Sequence, residues 1–136
     1  MKYSLDSNTC IHYLNGRSAS IVRKLPTVPA HDIVICSVVR GELAYGAAKS
    51  QTPEKSAAKQ AQFLNPYLTL PYDDVAAIEF GRIRAVLEAA GTPIGPYDMQ
   101  IAAIALIHGL IVVTHNTREF GRVRGLQIED WEKENL

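Results

Sequence analysis

Pro96-Tyr97-Asp98-Met99-Gln100-Ile101-Ala102-Ala103-Ile104-Ala105-Leu106-Ile107-His108-Gly109 runs directly into Leu110-Ile111-Val112-Val113-Thr114, and this pair places the chain among α/β proteins. The first segment is helical in pattern, with apolar side chains on nearly every side, as befits a helix sandwiched inside a core. Gly109 ends it. The second segment is the clearest strand in the chain, a continuous apolar run of the kind that internal parallel strands carry. A buried helix leading into a buried strand is the working unit of an α/β domain with a largely parallel sheet.

The same alternation extends upstream. Residues 2–5 form a first strand, and a helix begins near Ser7-Asn8, whose side chains suit an N-cap, and closes at Asn15-Gly16. A short helix over residues 17–25 is stopped by Pro26 and Pro29. Ile33-Val34-Ile35-Cys36 reads as an internal strand, with Ser37 as N-cap of a helix to about Lys49. Pro53-Glu54 opens a helix reaching Phe63-Leu64, and Leu68-Thr69-Leu70 is a further possible strand. Asp73 or Asp74 caps the next helix, where Val75, Ile78, Ile83, Val86, Leu87 and Ala90 are expected near one face before Gly91. Downstream, residues 116–120 form a short helical turn and residues 126–128 a late edge strand.

At 136 residues, with no repeat or linker, the chain is expected to be one domain spanning 1–136. Its formal net charge is zero, so the usual electrostatic footprint of a nucleic-acid binder is missing at whole-chain level. Without the acidic ending Glu129-Asp130-Trp131-Glu132-Lys133-Glu134 the remainder is weakly basic, which fits a solvated mixed surface at least as well as a phosphate-binding face. Cys10 and Cys36 lie in apolar stretches with neither disulfide nor zinc spacing, so buried free thiols are expected. Neither a signal peptide nor a membrane span is present in the pattern, and a cytoplasmic protein with no membrane partner is expected.

Open α/β sheets gather ligands beyond the C-terminal ends of their strands, which gives weight to polar residues there. Asp6 follows the first strand, Glu42 lies in the first turns after the second, Asn116 and Glu119 follow Thr114, and Asp98 opens the buried helix. Singly, Asp6 and Asp98 are equally well explained as helix-capping or dipole-stabilising residues. Glu42 sits in a mostly apolar helix, where a carboxylate facing inward needs a charged partner or a cation, although an outward-facing glutamate is also open. Taken together, acids converging at one sheet end repel each other unless a hard divalent cation such as Mg²⁺ or Mn²⁺ joins them. A cation site of that kind suits phosphodiester hydrolysis.

Other features carry less. His12 and His115 lie closest to the acids but lack zinc-ligand spacing, and a surface histidine is the ordinary reading of His115. Ser7 and Ser37 have no nucleophile-elbow context, and Gly91, Gly95 and Gly109 are too scattered for a phosphate loop. Arg118, Arg122 and Arg124 cluster beside Glu119, where phosphate contacts and solvated loop arginines are equally good explanations. Tyr97 and Phe120 are placed to stack on bases or to join the core.

Four segments then resemble one family. Leu5-Asp6-Ser7-Asn8-Thr9-Cys10-Ile11, Ser37-Val38-Val39-Arg40-Gly41-Glu42-Leu43-Ala44-Tyr45-Gly46, Ile94-Gly95-Pro96-Tyr97-Asp98 and Thr114-His115-Asn116-Thr117-Arg118-Glu119-Phe120 are similar, in order and spacing, to the signature segments of VapC toxins. Lys49-Ser50-Gln51, Ile83-Arg84-Ala85 and Ile128-Glu129-Asp130-Trp131 extend the likeness over nearly the whole chain. The resemblance implies a PIN-like three-layer α/β/α sandwich around a mainly parallel sheet. It implies a metal-dependent endoribonuclease, the toxin of a type II toxin–antitoxin pair, with Asp6, Glu42 and Asp98 binding Mg²⁺ or Mn²⁺. Many relatives carry an aspartate after the last core strand, whereas Asn116 stands there in this chain and Glu119 one helical turn later, so either completes the site. Ser7 replaces the usual threonine and keeps its hydroxyl; with Asn8 and Arg118 it is placed to touch RNA. The lineage with the Pro-Ile-Gly-Pro-Tyr-Asp-like and Asn-Thr-Arg-Glu-Phe segments includes toxins that cut initiator tRNA in the anticodon region. A homodimer, and a hetero-oligomer with a VapB-like antitoxin whose C-terminal segment lies over the active-site groove, are further implications.

Two other classes were weighed against this. A haloacid-dehalogenase-like phosphatase needs a second aspartate where Asn8 stands, and a receiver domain needs a late lysine that Thr114-His115-Asn116 lacks. A catalytically silent PIN module that binds RNA or protein is disfavoured by the presence of Asp6, Glu42 and Asp98 together.

Overall fold

A computed structural model describes residues 1–133; Glu134, counted above in the acidic ending, lies outside the described residues. Four strands, β1 (Tyr3–Leu5), β2 (Ile33–Val34), β3 (Ile111–Val113) and β4 (Ile128–Glu129), form a sheet of order β2-β1-β3-β4. Every pairing is parallel, with Tyr3 opposite both Ile33 and Ile111, and Leu5 opposite Val113. Helices α1 (Ser7–Leu14), α2 (Ala19–Lys24), α3 (Ser37–Ala48), α4 (Pro53–Leu64), α5 (Asp74–Ala89), α6 (Pro96–His108) and α7 (Thr117–Phe120) complete a three-layer α/β/α sandwich. Since all strands point the same way, Asp6, Thr114 and Asp130 leave the sheet at one end.

The stretch of residues 96–114 forms the centre of this arrangement. Met99 and Ile101 through Ala105 of α6 are buried, on more than one side of the helix, and Val112 and Val113 are fully covered. Burying Ile101 and Ile104 contributes about 1.5–3 kcal/mol each relative to exposure. Gly109, with φ of 66°, turns the chain out of α6 in a left-handed conformation that side-chain-bearing residues avoid. None of the helices is long and apolar enough to cross a membrane, among the described residues.

Several local expectations are corrected. The cap of α1 is Asp6, whose side chain accepts from the Thr9 N–H, rather than Ser7 or Asn8. Ser37 does not cap α3: Cys36 holds that position without a side-chain bond, and the Ser37 N–H donates to the Leu70 carbonyl. Residues 68–70 run parallel beside the end of β2 without making a full strand: Val34 and Leu68 form an isolated bridge, and the carbonyls of Leu68 and Leu70 accept from the N–H groups of Ile35 and Ser37, each at 2.9 Å. The apolar residues of α5 split into two stripes. Ala76, Ile83 and Leu87 face the core, where small Ala76 permits close approach, while Val75, Ile78 and Val86 are exposed. The last strand begins two residues later than expected, at Ile128. Phe120 belongs wholly to the core. Cys10 and Cys36 are buried free thiols.

Candidate active site and metal centre

Asp6 reaches the site because β1 ends one residue before it. Its backbone N–H donates to Val113 O at 3.1 Å, and its Oδ1 accepts from Thr9 N at 2.9 Å. The residue is only 5% exposed. Burial pushes its pKa up, and hydrogen bonds from Thr114 and Thr9 pull against that shift. Capping and site placement are therefore two consequences of one position, not competing explanations.

Glu42 projects from α3 toward α1, where the Ser7 hydroxyl donates to Glu42 Oε1 at 2.6 Å. This settles the direction of a carboxylate that an apolar helix left open: it is half-buried and turned toward Ser7, not away into solvent. Asp98, in the first turn of α6, is pushed up to about 6, first by burial and then by the negative charges of Asp6, Glu42 and Glu119. All these causes act in one direction. Glu119 comes from α7, where Asn116 Nδ2 donates to its Oε2 at 3.1 Å. Between the two residues open for the fourth position, Glu119 brings the charge that Asp98 feels, and Asn116 holds Glu119 in place.

Four carboxyl groups from four separate segments thus meet at the C-terminal end of the sheet. The nearby Arg40 guanidinium does not relieve them, since it donates to the carbonyls of Ile35 and Tyr67 at 2.9 and 3.1 Å. An all-oxygen donor set with uncompensated negative charge fits a hard divalent cation. The spacing is open, however. Among the described residues, the His, Asp and Glu set with ligand atoms all within 4.8 Å of each other is a neighbouring one, His115, Asp130 and Glu132.

That neighbouring cluster was missed in the sequence because its members lie far apart along the chain. His115 Nδ1 stands 3.0 Å from both Asp130 Oδ2 and Glu132 Oε2, and His12 Nδ1 pairs with Glu132 Oε1. Residues 130–132 are consequently docked. Trp131 is 6% exposed, meets the Tyr3 ring edge-on at 5.1 Å, and its carbonyl accepts from Ser20 Oγ at 2.8 Å. Trp131 was the available signal, as a large aromatic beside acids favours burial over a free tail.

The remaining candidates separate by exposure. Arg118 and Arg124 are exposed, and Asn8 is exposed beside Ser7. Arg122 Nη1 donates to Pro93 O at 3.0 Å and so braces the loop that leads to Asp98. Tyr97 is exposed, whereas Phe120 is withdrawn from any stacking role by complete burial. A groove of about 710 Å³ has Ser7, Asn8, Glu42 and Tyr97 in its walls, Glu42 being the one of the four acids that lines it.

The Ser7–Glu42 bond yields a direct expectation. Removing a hydrogen bond that orients a metal-ligating carboxylate typically costs about 10–100-fold in metal affinity or activity. Ser7→Ala is expected to weaken divalent-cation binding within that range, measured by calorimetric titration, while Ser7→Thr retains it. Equal affinity for the alanine variant would dismiss the orienting role.

The PIN-domain family model matches residues 3–126. Over 131 residues, 96% of this chain and 98% of the relative, the chain is 44% identical to the tRNA(fMet)-specific endonuclease VapC of Salmonella typhimurium. It is 46% identical, with the same coverage, to the protein of that name from Shigella flexneri. The fold superposes with a TM-score of 0.90 on a chain of the DNA-bound VapBC crystal structure from Salmonella typhimurium, at 44% identity, covering 96% of this chain and 98% of that one.

Proposed function

The chain belongs to the PIN-domain family, in its VapC branch, and from that premise we propose that it is the toxin of a type II toxin–antitoxin pair, a metal-dependent endoribonuclease. The observation that supports the reading is that Asp98, near one end of a parallel sheet, is raised by the negative charges of Asp6, Glu42 and Glu119 together, beyond the effect of its burial. Initiator tRNA, cut in the anticodon region, is the substrate we favour, because relatives at 44% and 46% identity are named for tRNA(fMet). The action then lies in the cytoplasm. A VapB-like antitoxin is the expected partner, supported by neighbours solved as VapBC complexes, and a homodimer is proposed with it.

In this reading Asp6, Glu42 and Asp98 hold Mg²⁺ or Mn²⁺. When bound, such an ion polarises the phosphoryl oxygen, neutralises developing charge and makes water a better nucleophile near neutral pH. The protein's own groups prepare the site. Thr9 and Thr114 hold Asp6 by hydrogen bonds, Ser7 aims Glu42, and Asn116 steadies Glu119. Asp98 would serve as a ligand in its ionised form, the form that metal ligation selects. Asn8 and Arg118, exposed beside the acids, are placed to contact the RNA backbone.

Purified initiator tRNA incubated with the protein in Mg²⁺ or Mn²⁺ should be cleaved, and Asp6→Asn should not cleave it. Wild type cleaving no better than Asp6→Asn would end the nuclease reading. Expression alone should arrest growth, and co-expression of the adjacent antitoxin gene should relieve the arrest.

A further inference from the structure

We propose that Tyr45 and Tyr97 are stacking platforms for unpaired nucleobases on either side of the phosphate to be cut, so that the groove selects single-stranded loops over duplex RNA. The inference rests on the ribonuclease reading above and adds a ligand subsite to it.

The aromatic residues of the chain divide sharply by role. Tyr3 meets Trp131, Tyr13, Phe63 and Tyr67 form a chain of ring contacts, Tyr72 meets Phe80, and Phe120 is fully buried. Tyr45 and Tyr97 are the exposed aromatics among the described residues, at 66% and 59%. Both border the same groove of about 710 Å³, which also contains Ser7 and Glu42. Both rings are exposed in the single chain, and their coincidence in the groove that Glu42 lines points to a ligand with flat apolar faces.

Backbone placement ties each ring to a site carboxylate. Tyr45 follows Glu42 by three residues on α3, a spacing that puts both on one side of the helix. Tyr97 directly precedes Asp98 at the start of α6. Both rings share the groove with Glu42, so a base stacked on either lies near the carboxylate that Ser7 orients. Lys49 Nζ stands 4.8 Å from the centre of the Tyr45 ring, which places a positive charge at the same rim for the RNA backbone. Asn8 and Gln100 supply amide groups in the groove walls able to hydrogen-bond base edges. In a duplex the base faces are already stacked and the edges paired, so rings of this kind recognise bases splayed from a loop.

The test uses the full-length protein. Steady-state cleavage of an RNA stem–loop carrying the anticodon-loop sequence is compared for wild type, Tyr45→Ala, Tyr97→Ala and the two phenylalanine variants. Each alanine variant should raise KM about thirtyfold, the middle of the range for loss of one base–aromatic stack, with kcat changed far less. The phenylalanine variants should stay within about twofold of wild type, because the ring and not the hydroxyl stacks. Thermal melting should be unaffected, since both rings are exposed. A 2-aminopurine placed in the loop should be quenched on binding Asp6→Asn protein and not when the alanine change is added. Unchanged KM in both alanine variants overturns the proposal. Loss of antitoxin affinity with unchanged RNA kinetics also overturns it and assigns the rings to a protein partner. Absence of any cleavage by wild type overturns the ribonuclease reading itself, a failure separable from the first.

Discussion

Asp98→Asn is expected to abolish RNA cleavage and, in the presence of a chelator, to make the protein harder to melt. Catalytic loss follows from removing one charged ligand from a preorganised electrostatic site, an effect of about 10²–10³-fold or more. The gain in stability comes from the same crowding. The Asp98 carboxyl is pushed from its ordinary value of 3.8 up to about 6 by burial and by three neighbouring acids. Between those two values the folded protein holds more protons than the unfolded chain, so stability falls as pH rises through that window. Above it, the ion-free protein carries the full cost of an ionised Asp98, which asparagine avoids.

Solvent screening of a partly exposed group reduces that cost to on the order of 1 kcal/mol, or about 3–4 °C in melting temperature for a domain of this size. Divalent cation reverses the order: wild type gains stability on adding Mg²⁺ or Mn²⁺, and Asp98→Asn gains less. Melting curves at pH 5 and pH 7.5, with chelator and with cation, separate these effects. An asparagine variant that melts below wild type in chelator at pH 7.5 would contradict the crowding explanation.

Phe120→Ala is expected to cost about 3–5 kcal/mol, a large share of the 5–15 kcal/mol that holds a typical domain folded. The side chain is completely buried. It also does more than fill space. Helix α7 has four residues and no side-chain cap bond, too short to persist by its own hydrogen bonds. Phe120 anchors it to the core, and Glu119 rides on that anchor. Denaturant unfolding should show the loss in midpoint, and cation affinity should fall with it even where the variant remains folded. A change below about 1 kcal/mol would mean that the pocket collapses around the smaller residue.

The buried helix of residues 96–108 and the strand behind it were legible because apolar periodicity and the glycine stop are local properties. The bounds of α4, set by Pro53 and Leu64, were equally legible. Asp6 and Glu42 stood out by their relation to strand ends, which topology makes meaningful before any coordinate is known, and Asp98 by its place at the start of the buried helix. Other features depended on which faces meet. Tyr97 and Phe120 are both aromatic residues at element ends, yet one lines the groove and the other fills the core. Val75, Ile78 and Val86 belong to an apolar pattern on α5 but lie on the stripe that the core does not reach.

Glu119 and Asn116 sit one helical turn apart after the same strand, and nothing local distinguishes their distance to Asp98. The hydrogen bond between them is local to the start of α7, but the charge that Glu119 projects onto Asp98 appears only when α7 and α6 are brought together. The same holds for His12 and Glu132, which meet across 120 positions of sequence. Sequence by itself determined the element types, the parallel α/β arrangement and the end of the sheet where chemistry gathers, because backbone preference and burial pattern are written residue by residue. Tertiary structure alone brought Glu119 to bear on Asp98, docked residues 130–132 and left the aromatic pair exposed, because contacts between distant segments depend on packing that no single stretch contains.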